Sequence, residues 1–253
     1  PAVDAGDPSF AYEQEPSPNG GRINLGAYGN TSQATTSEPS GVPDLTDYYV
    51  NALSGSNLSG DGSVSNPWKT ITFAIGQITG TGRTLHVAAG TYDTTLGEYF
   101  PIYAKSGVSL VGAGAGQSII DAKRPEGVLR CISILDGSTR IAGLTVRGGK
   151  DLTYGSGVHI SAGSWLLMEE NEITSNNSSD YKWGGGVAIV NASPVIRNNA
   201  ITTNKSGAIY TSGGSALIVG NRILSNAGYY MAGIFVDDGS PRIVRNIVAK
   251  NNG

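Results

Sequence analysis

One phrase recurs through the second half of the chain and constrains the fold more than any other feature. Residues 164–173, 193–201, 215–223 and 240–248 each open on a serine, run through an apolar alternation and reach a central asparagine, Asn171, Asn199, Asn221 or Asn246. A weaker copy at residues 138–146 holds Leu144 in that place, and a second asparagine follows at 176, 204, 226 and 251. Repetition at uneven steps of roughly 25 residues is the signature of a solenoid, where each repeat is one coil and loops absorb the differences in length.

Each repeat also carries a second alternating run, preceded by glycine: Val158-His159-Ile160, Val187-Ala188-Ile189, Ile209-Tyr210-Thr211 and Ile234-Phe235-Val236. Ile132-Ser133-Ile134 reads as the same strand one coil earlier. Alternation places the first and third residues inside and the middle one outside. Coils stacked about 4.8 Å apart then align Ile and Val in internal columns. The asparagines form internal ladders whose amides bond to the coils above and below. Asn171, Asn199, Asn221 and Asn246 are accordingly structural. With 37 glycines and only 15% charged residues, the composition suits short strands and tight turns.

On these repeats, residues from about 108 to 253 resemble the right-handed parallel β-helix of the pectate-lyase-like superfamily, found in secreted carbohydrate-active enzymes and bacterial surface proteins. The resemblance implies an all-β right-handed parallel β-helix and an extracellular or cell-surface location, and says little about activity.

Residues 45–122 read as an N-terminal cap and first coils, and residues 123–253 as the coils that follow. Asp47-Tyr48-Tyr49-Val50-Asn51 is a short strand, and Asn66-Pro67-Trp68 is expected to open a helix with Asn66 as cap and Pro67 at the first helical position. Trp68, Ile71, Ile75 and Ile78 share one helical face. This stretch resembles the domain of unknown function that opens many bacterial surface β-helix proteins. Its physical task is to cover the apolar, strand-edged end of the solenoid.

Residues 1–30 resemble the segment that closes such a β-helix, notably Pro18-Asn19-Gly20-Gly21-Arg22-Ile23-Asn24-Leu25-Gly26, yet here they come first. Residues 31–44 form a Ser/Thr-rich linker. The chain begins at Pro1 without Met or signal peptide, ends after a strand pattern at Gly253, and reads as a mature or excised piece of something longer. The order of segments predicts that residues 1–30 cap a neighbouring copy head to tail, in preference to the chain's own last coil.

Several function classes recede. A net charge of -3 without clustered Lys or Arg argues against nucleic acid. No apolar run of about 20 residues is present to span a membrane. A single cysteine, Cys131, allows no internal disulfide and reads as a packed thiol.

Catalytic residues are not apparent. β-helix lyases resembling this fold place acidic calcium ligands and a basic residue on one outward sheet face. The corresponding column here is Ser133, His159, Ala188, Tyr210 and Phe235, with Asp237 one step further along. His159, Tyr210 and Asp237 are the groove-face candidates. His159 and Asp237 lie about 14 Å apart by coil spacing, too far to act together as acid and base. Asp237-Asp238 could bind a cation such as calcium but sits where a strand enters a turn, Asp4 and Asp7 sit in short turns that bond their own backbone, and no cofactor is implied. His86 reads as structural.

The aromatic residues Tyr154, Tyr181, Trp183, Tyr229 and Tyr230 are expected to project from one corner of the solenoid. They flank a notch at the short Lys205-Ser206 turn and suit sugar stacking or a protein contact. The sequence thus reads as a non-catalytic extracellular β-solenoid structural protein that assembles head to tail into a filament or tandem array. The alternative is a carbohydrate-active protein, either a polysaccharide-lyase-like enzyme or a glycan-binding module.

Overall fold

The computed structural model describes residue 14, residues 30–31, 46–123, 129–131 (backbone), 139–150, 155–161, 166–177, 183–229 and 231–253. The chain divides into two units, Pro1–Asp44 and Leu45–Gly253. In the first, the Gln14 backbone N–H donates to Asn30 Oδ1 at 3.2 Å. The closing segment and the linker otherwise lie outside the described residues.

The second unit opens with β1 (Asp47–Val50) and α1 (Ile71–Gln77). Then come β2 (Arg83–Val87), β3 (Gly90–Asp93), β4 (Ile102–Ala104), β5 (Val108–Gly112), β6 (Ser118–Asp121), β7 (Leu129–Cys131), β8 (Thr139–Ala142), β9 (Leu144–Arg147) and β10 (Val158–Ile160). The Asn-bearing coils follow: β11 (Leu166–Glu169), β12 (Glu172–Thr174), β13 (Val187–Val190), β14 (Val195–Arg197), β15 (Ala200–Thr202) and β16 (Ile209–Ser212). The last strands are β17 (Leu217–Val219), β18 (Arg222–Leu224), β19 (Ile234–Val236), β20 (Arg242–Val244) and β21 (Ile247–Ala249).

From β2 onward, every third strand stacks on the same parallel sheet. The first sheet runs β1-β2-β5-β8-β11-β14-β17-β20, the second β3-β6-β9-β12-β15-β18-β21 and the third β4-β7-β10-β13-β16-β19. This is a parallel β-helix.

The core is a set of registered columns. Leu85, Leu110, Ile141, Met168, Ile196 and Ile218 pair in succession on the first sheet and are buried. Tyr92, Ile120, Val146, Ile173, Ile201 and Ile223 do the same on the second. Both columns end at the last coil, where Ile243 is 41% and Val248 49% exposed. Fully burying such a side chain is worth about 1.5–3 kcal/mol, so the columns are the main cohesive element.

Two asparagine ladders flank the second sheet. Asn171 Nδ2 donates to Asn199 Oδ1, Asn199 Nδ2 to Asn221 Oδ1, and Asn221 Nδ2 to Asn246 Oδ1, at 3.0, 3.0 and 2.9 Å. Asn176, Asn204, Asn226 and Asn251 repeat the arrangement. The residue before each rung takes a left-handed conformation, as at Glu170, Asn198 and Arg245 (φ 56°, 54° and 55°) or Gly143 and Gly220. That single inverted residue turns the chain so that the asparagine points inward.

The sheets begin earlier than the repeats indicate, at Asp47 instead of near residue 108. The early coils keep the alternation but lack the paired asparagines. Ser118 pairs with Leu144 in the column that leads to Asn171, and its Oγ donates to the Val87 carbonyl of the preceding coil at 2.7 Å. A hydroxyl there does part of an amide's task.

At the N-terminal end the helix is shorter than the sequence pattern implies. Its cap is Thr70, whose side chain accepts the Phe73 N–H, and not Asn66. Trp68 cannot be helical, because its backbone N–H donates to the Tyr49 carbonyl and its own carbonyl accepts the Asn51 N–H. Asn57 Oδ1 accepts from the Lys69 and Thr70 N–H groups and holds this extended stretch in place. Ile71, Ala74 and Ile78 are buried while Ile75 is only half-buried. The helix packs on β1, β2 and β4. Glu98 completes the cap, accepting from the Ile71 and Thr72 N–H groups at 2.5 and 2.9 Å.

Candidate functional site

The outward face of the third sheet carries Tyr103, Arg130, His159, Ala188, Tyr210 and Phe235 in one registered column. Arg130, and not Ser133, stands beside His159. Leu129-Arg130-Cys131 and Ile132-Ser133-Ile134 both alternate, and pairing of the first triplet with β4 and β10 fixes the register. Residue 133 lies outside the described residues. A basic residue is therefore the backbone neighbour of His159. Cys131 pairs with Ile160 and Ala104.

This face is covered further along. Trp183 does not project from the corner; it folds back onto the sheet, stacked on Tyr210 at 6.2 Å and against Phe235 at 4.9 Å. The reversal depends on Gly184 (φ +68°), where a Cβ would lie 2.9 Å from Tyr210 Cβ. Tyr210 consequently loses the exposure that its outward register implies. Tyr210 Oη donates to Asp237 Oδ2 at 2.9 Å, a pairing the sequence pattern did not reveal because the two residues sit on adjacent coils and offset positions. Asp237 is thus engaged by a phenol. Among the described residues no group of three His, Cys, Asp or Glu side chains could hold a metal ion. Asp4 and Asp7 lie outside the described residues.

Charge pairs brace other faces. Glu169 accepts from Arg140 Nε and Arg197 Nε, each at 2.6 Å, joining three successive coils of the first sheet. Burial works to raise its carboxyl, but the two guanidiniums hold it below the ordinary value. At the cap, His86 Nε2 lies 2.7 Å from Asp47 Oδ1 and its ring stacks on Tyr49 at 4.9 Å. Hydrogen bonds from His86 and Thr46 lower the Asp47 carboxyl. His86 borders a groove of about 320 Å³ that Val64, Pro67 and Val111 also line.

The corner after the second sheet holds the remaining candidates. Tyr154, Tyr181 and Tyr230 lie outside the described residues, whereas Tyr229 is 73% exposed. Beside it a column of bridged residues, Lys150, Asn177, Lys205, Ala227 and Asn252, runs along the axis, one residue per coil. Asn177, Lys205, Ser206, Tyr229 and Asn252 line an open groove of about 480 Å³. Trp183 and Tyr229 therefore do not form one aromatic surface.

No curated protein and no solved structure matches the chain. Residues 53–253, spanning the cap loop, the helix and every coil, match the model of the DUF1565 family, proteins of unknown function, and the chain belongs to that family.

Proposed function

We propose that this protein is a non-catalytic structural β-solenoid of the cell exterior that joins copies head to tail. The observation that supports the reading is the pair of asparagine ladders, whose regular rungs accept a further coil of the same kind. Ile243 and Val248 are 41% and 49% exposed in the last described coil, while their column partners one coil earlier, Ile218 and Ile223, are buried. Each rung's N–H donates to the next asparagine, as Asn221 N does to Asn246 Oδ1 and Asn226 N to Asn251 Oδ1. A further coil laid on Asn246 and Asn251 would extend both ladders.

The opposite end is closed to such pairing. Tyr49 N–H donates to the Gly62 carbonyl and Trp68 N–H to the Tyr49 carbonyl, so the free edge of β1 is already occupied. A solenoid head therefore cannot stack by strand pairing on a solenoid tail. A separate closing segment can, and residues 1–30 resemble one. Donated from copy to copy, it makes a heterologous contact that does not close on itself. Placement outside the cell rests on the resemblance to secreted β-helix proteins.

Negative-stain electron microscopy of residues 1–253, beside a chain lacking residues 1–36, tests the reading. Filaments or strings from the first and short rods from the second are expected. A compact monomer at high concentration from the intact chain would overturn it.

A further inference from the structure

We infer that a basic rim on the last coil, made by Arg242, Arg245 and Lys250, receives the acidic stretch at residues 4–15 of a second copy. This rests on the head-to-tail reading and names the surface that the donated segment meets. It starts from the uneven placement of charge along the chain. Residues 1–44 hold six acids and one base, whereas residues 193–253 hold six bases and two acids. The two stretches thus carry net charges of -5 and +4, in a chain whose total is only -3.

The fold gathers these bases at one end. Arg242 stands on β20 in the outward column that contains Leu217. Arg245 and Lys250 are the left-handed residues (φ 55° and 56°) that precede the rungs Asn246 and Asn251. All three are exposed, as is Arg222 on the coil before. The same corner places in the preceding coils hold Glu170 and Asn198 on one side, and Ser175, Thr203 and Ser225 on the other. The bases therefore belong to the last coil and not to the repeat. Arg197, two coils back, is tied to Glu169, but no described acid pairs with Arg222, Arg242, Arg245 or Lys250. Of the two acids in these coils, Asp237 is engaged by Tyr210 on the third-sheet face.

Like charges gathered in this way repel one another, and a segment of opposite sign relieves the repulsion and speeds encounter. Residues 1–15 supply Asp4, Asp7, Glu13 and Glu15 and no base. The cap strand and its loop offer only Asp47 and Asp61, which His86 and the Ser63 N–H already engage. Strand pairing at a coil edge is blind to side-chain charge, so the rim adds the choice of partner that the backbone cannot make.

Charge reversal in the intact 253-residue chain tests the docking, read as the protein concentration at which half the material pellets. The unaltered chain should assemble, and raising NaCl from about 0.05 to about 0.5 M should raise that concentration about tenfold. Arg242→Glu, Arg245→Glu and Lys250→Glu together should raise it about tenfold at low salt, and so should Asp4→Lys, Asp7→Lys, Glu13→Lys and Glu15→Lys together. A chain carrying both sets should return to within about threefold of the original, because opposite charges face each other again. The three bases are exposed, and thermal melting shows that each variant keeps its fold. Assembly that neither salt nor reversal alters overturns the docking and leaves head-to-tail joining intact. Losses that the combined chain does not restore overturn the pairing of these two surfaces. A chain that stays monomeric at every salt concentration overturns both the docking and the joining.

Discussion

Asn221 Oδ1 accepts two hydrogen bonds from Asn199, from its backbone N–H at 2.9 Å and from its Nδ2 at 3.0 Å. One buried oxygen thus satisfies two donors of the preceding coil, and Asn221 Nδ2 donates back to the Ile196 carbonyl at 2.9 Å. Asn221→Leu removes all three and leaves buried partners unpaired, each costing about 1–3 kcal/mol. We expect a loss of at least 3 kcal/mol in urea unfolding. Asn246→Leu, at a half-buried rung, should cost clearly less. Equal losses at the two positions would mean that the ladder's stabilisation does not depend on burial.

Ile223 and Val248 occupy one column, the first fully buried and the second 49% exposed. Ile223→Asp should unfold the solenoid, because an unpaired buried carboxylate costs several kcal/mol. Val248→Asp should leave the fold intact by circular dichroism. Under the assembly reading it also shortens or abolishes filaments. Filaments of normal length from Val248→Asp would count against coil addition at that edge.

Trp183 contacts two rings, and such pairs contribute about 0.5–1.5 kcal/mol beyond their buried area. Trp183→Ala should therefore lower the melting temperature by several degrees and expose Tyr210 to solvent quenching. An unchanged melt would show that the ring merely rests on the sheet.

Glu169 makes stability depend on pH. Its carboxyl is held below the ordinary value of 4.5, so its contribution is present above that pH and is lost as pH falls through the lower folded value. Glu98 acts in the opposite sense, because burial raises its carboxyl and protonation is then easier in the fold than outside it. Comparison with Glu169→Gln removes the second effect. The variant should be less stable at pH 7, with the difference shrinking below pH 4.5. A gap that stays constant down to pH 3 would rule out the ion pairs as its source. Both arginines are partly exposed, so the effect should be modest and reduced by salt.

An eliminase assay addresses the third-sheet face. We expect no unsaturated products from polygalacturonate or alginate, since Tyr210 engages Asp237 and Trp183 covers the column beyond His159. Products that disappear in His159→Ala would show that this face carries a catalytic group.

Legibility in the sequence followed the physics of repetition. The ladders and columns could be read directly, because stacking demands the same residue at the same place in every coil. Ser118 hid the earlier coils because a smaller polar group takes the rung. The Arg130 register was lost between two equivalent alternating triplets, a choice that only long-range pairing makes. The helix start at Thr70 depends on Asn57 and Glu98, residues 13 and 26 or more positions away. Trp183 was misplaced for a similar reason: Gly184 reverses the chain, and nothing local says which way the ring then falls. Single contacts between unlike residues carry no period, so no pattern announces them.

The two ladders advance by identical steps, 27, 28, 22 and 25 residues from coil to coil in each. The segment between paired rungs is therefore constant, and all variation in length falls outside it. Each coil is re-phased by its own asparagines, whatever the chain did since the last pair. Lengthening a loop adds entropy only logarithmically, so the corner between Asn176 and Val187 can take up inserted sequence while the next coil still lands in register. A solenoid built this way can change what it displays on one edge, residue by residue, without renegotiating its interior.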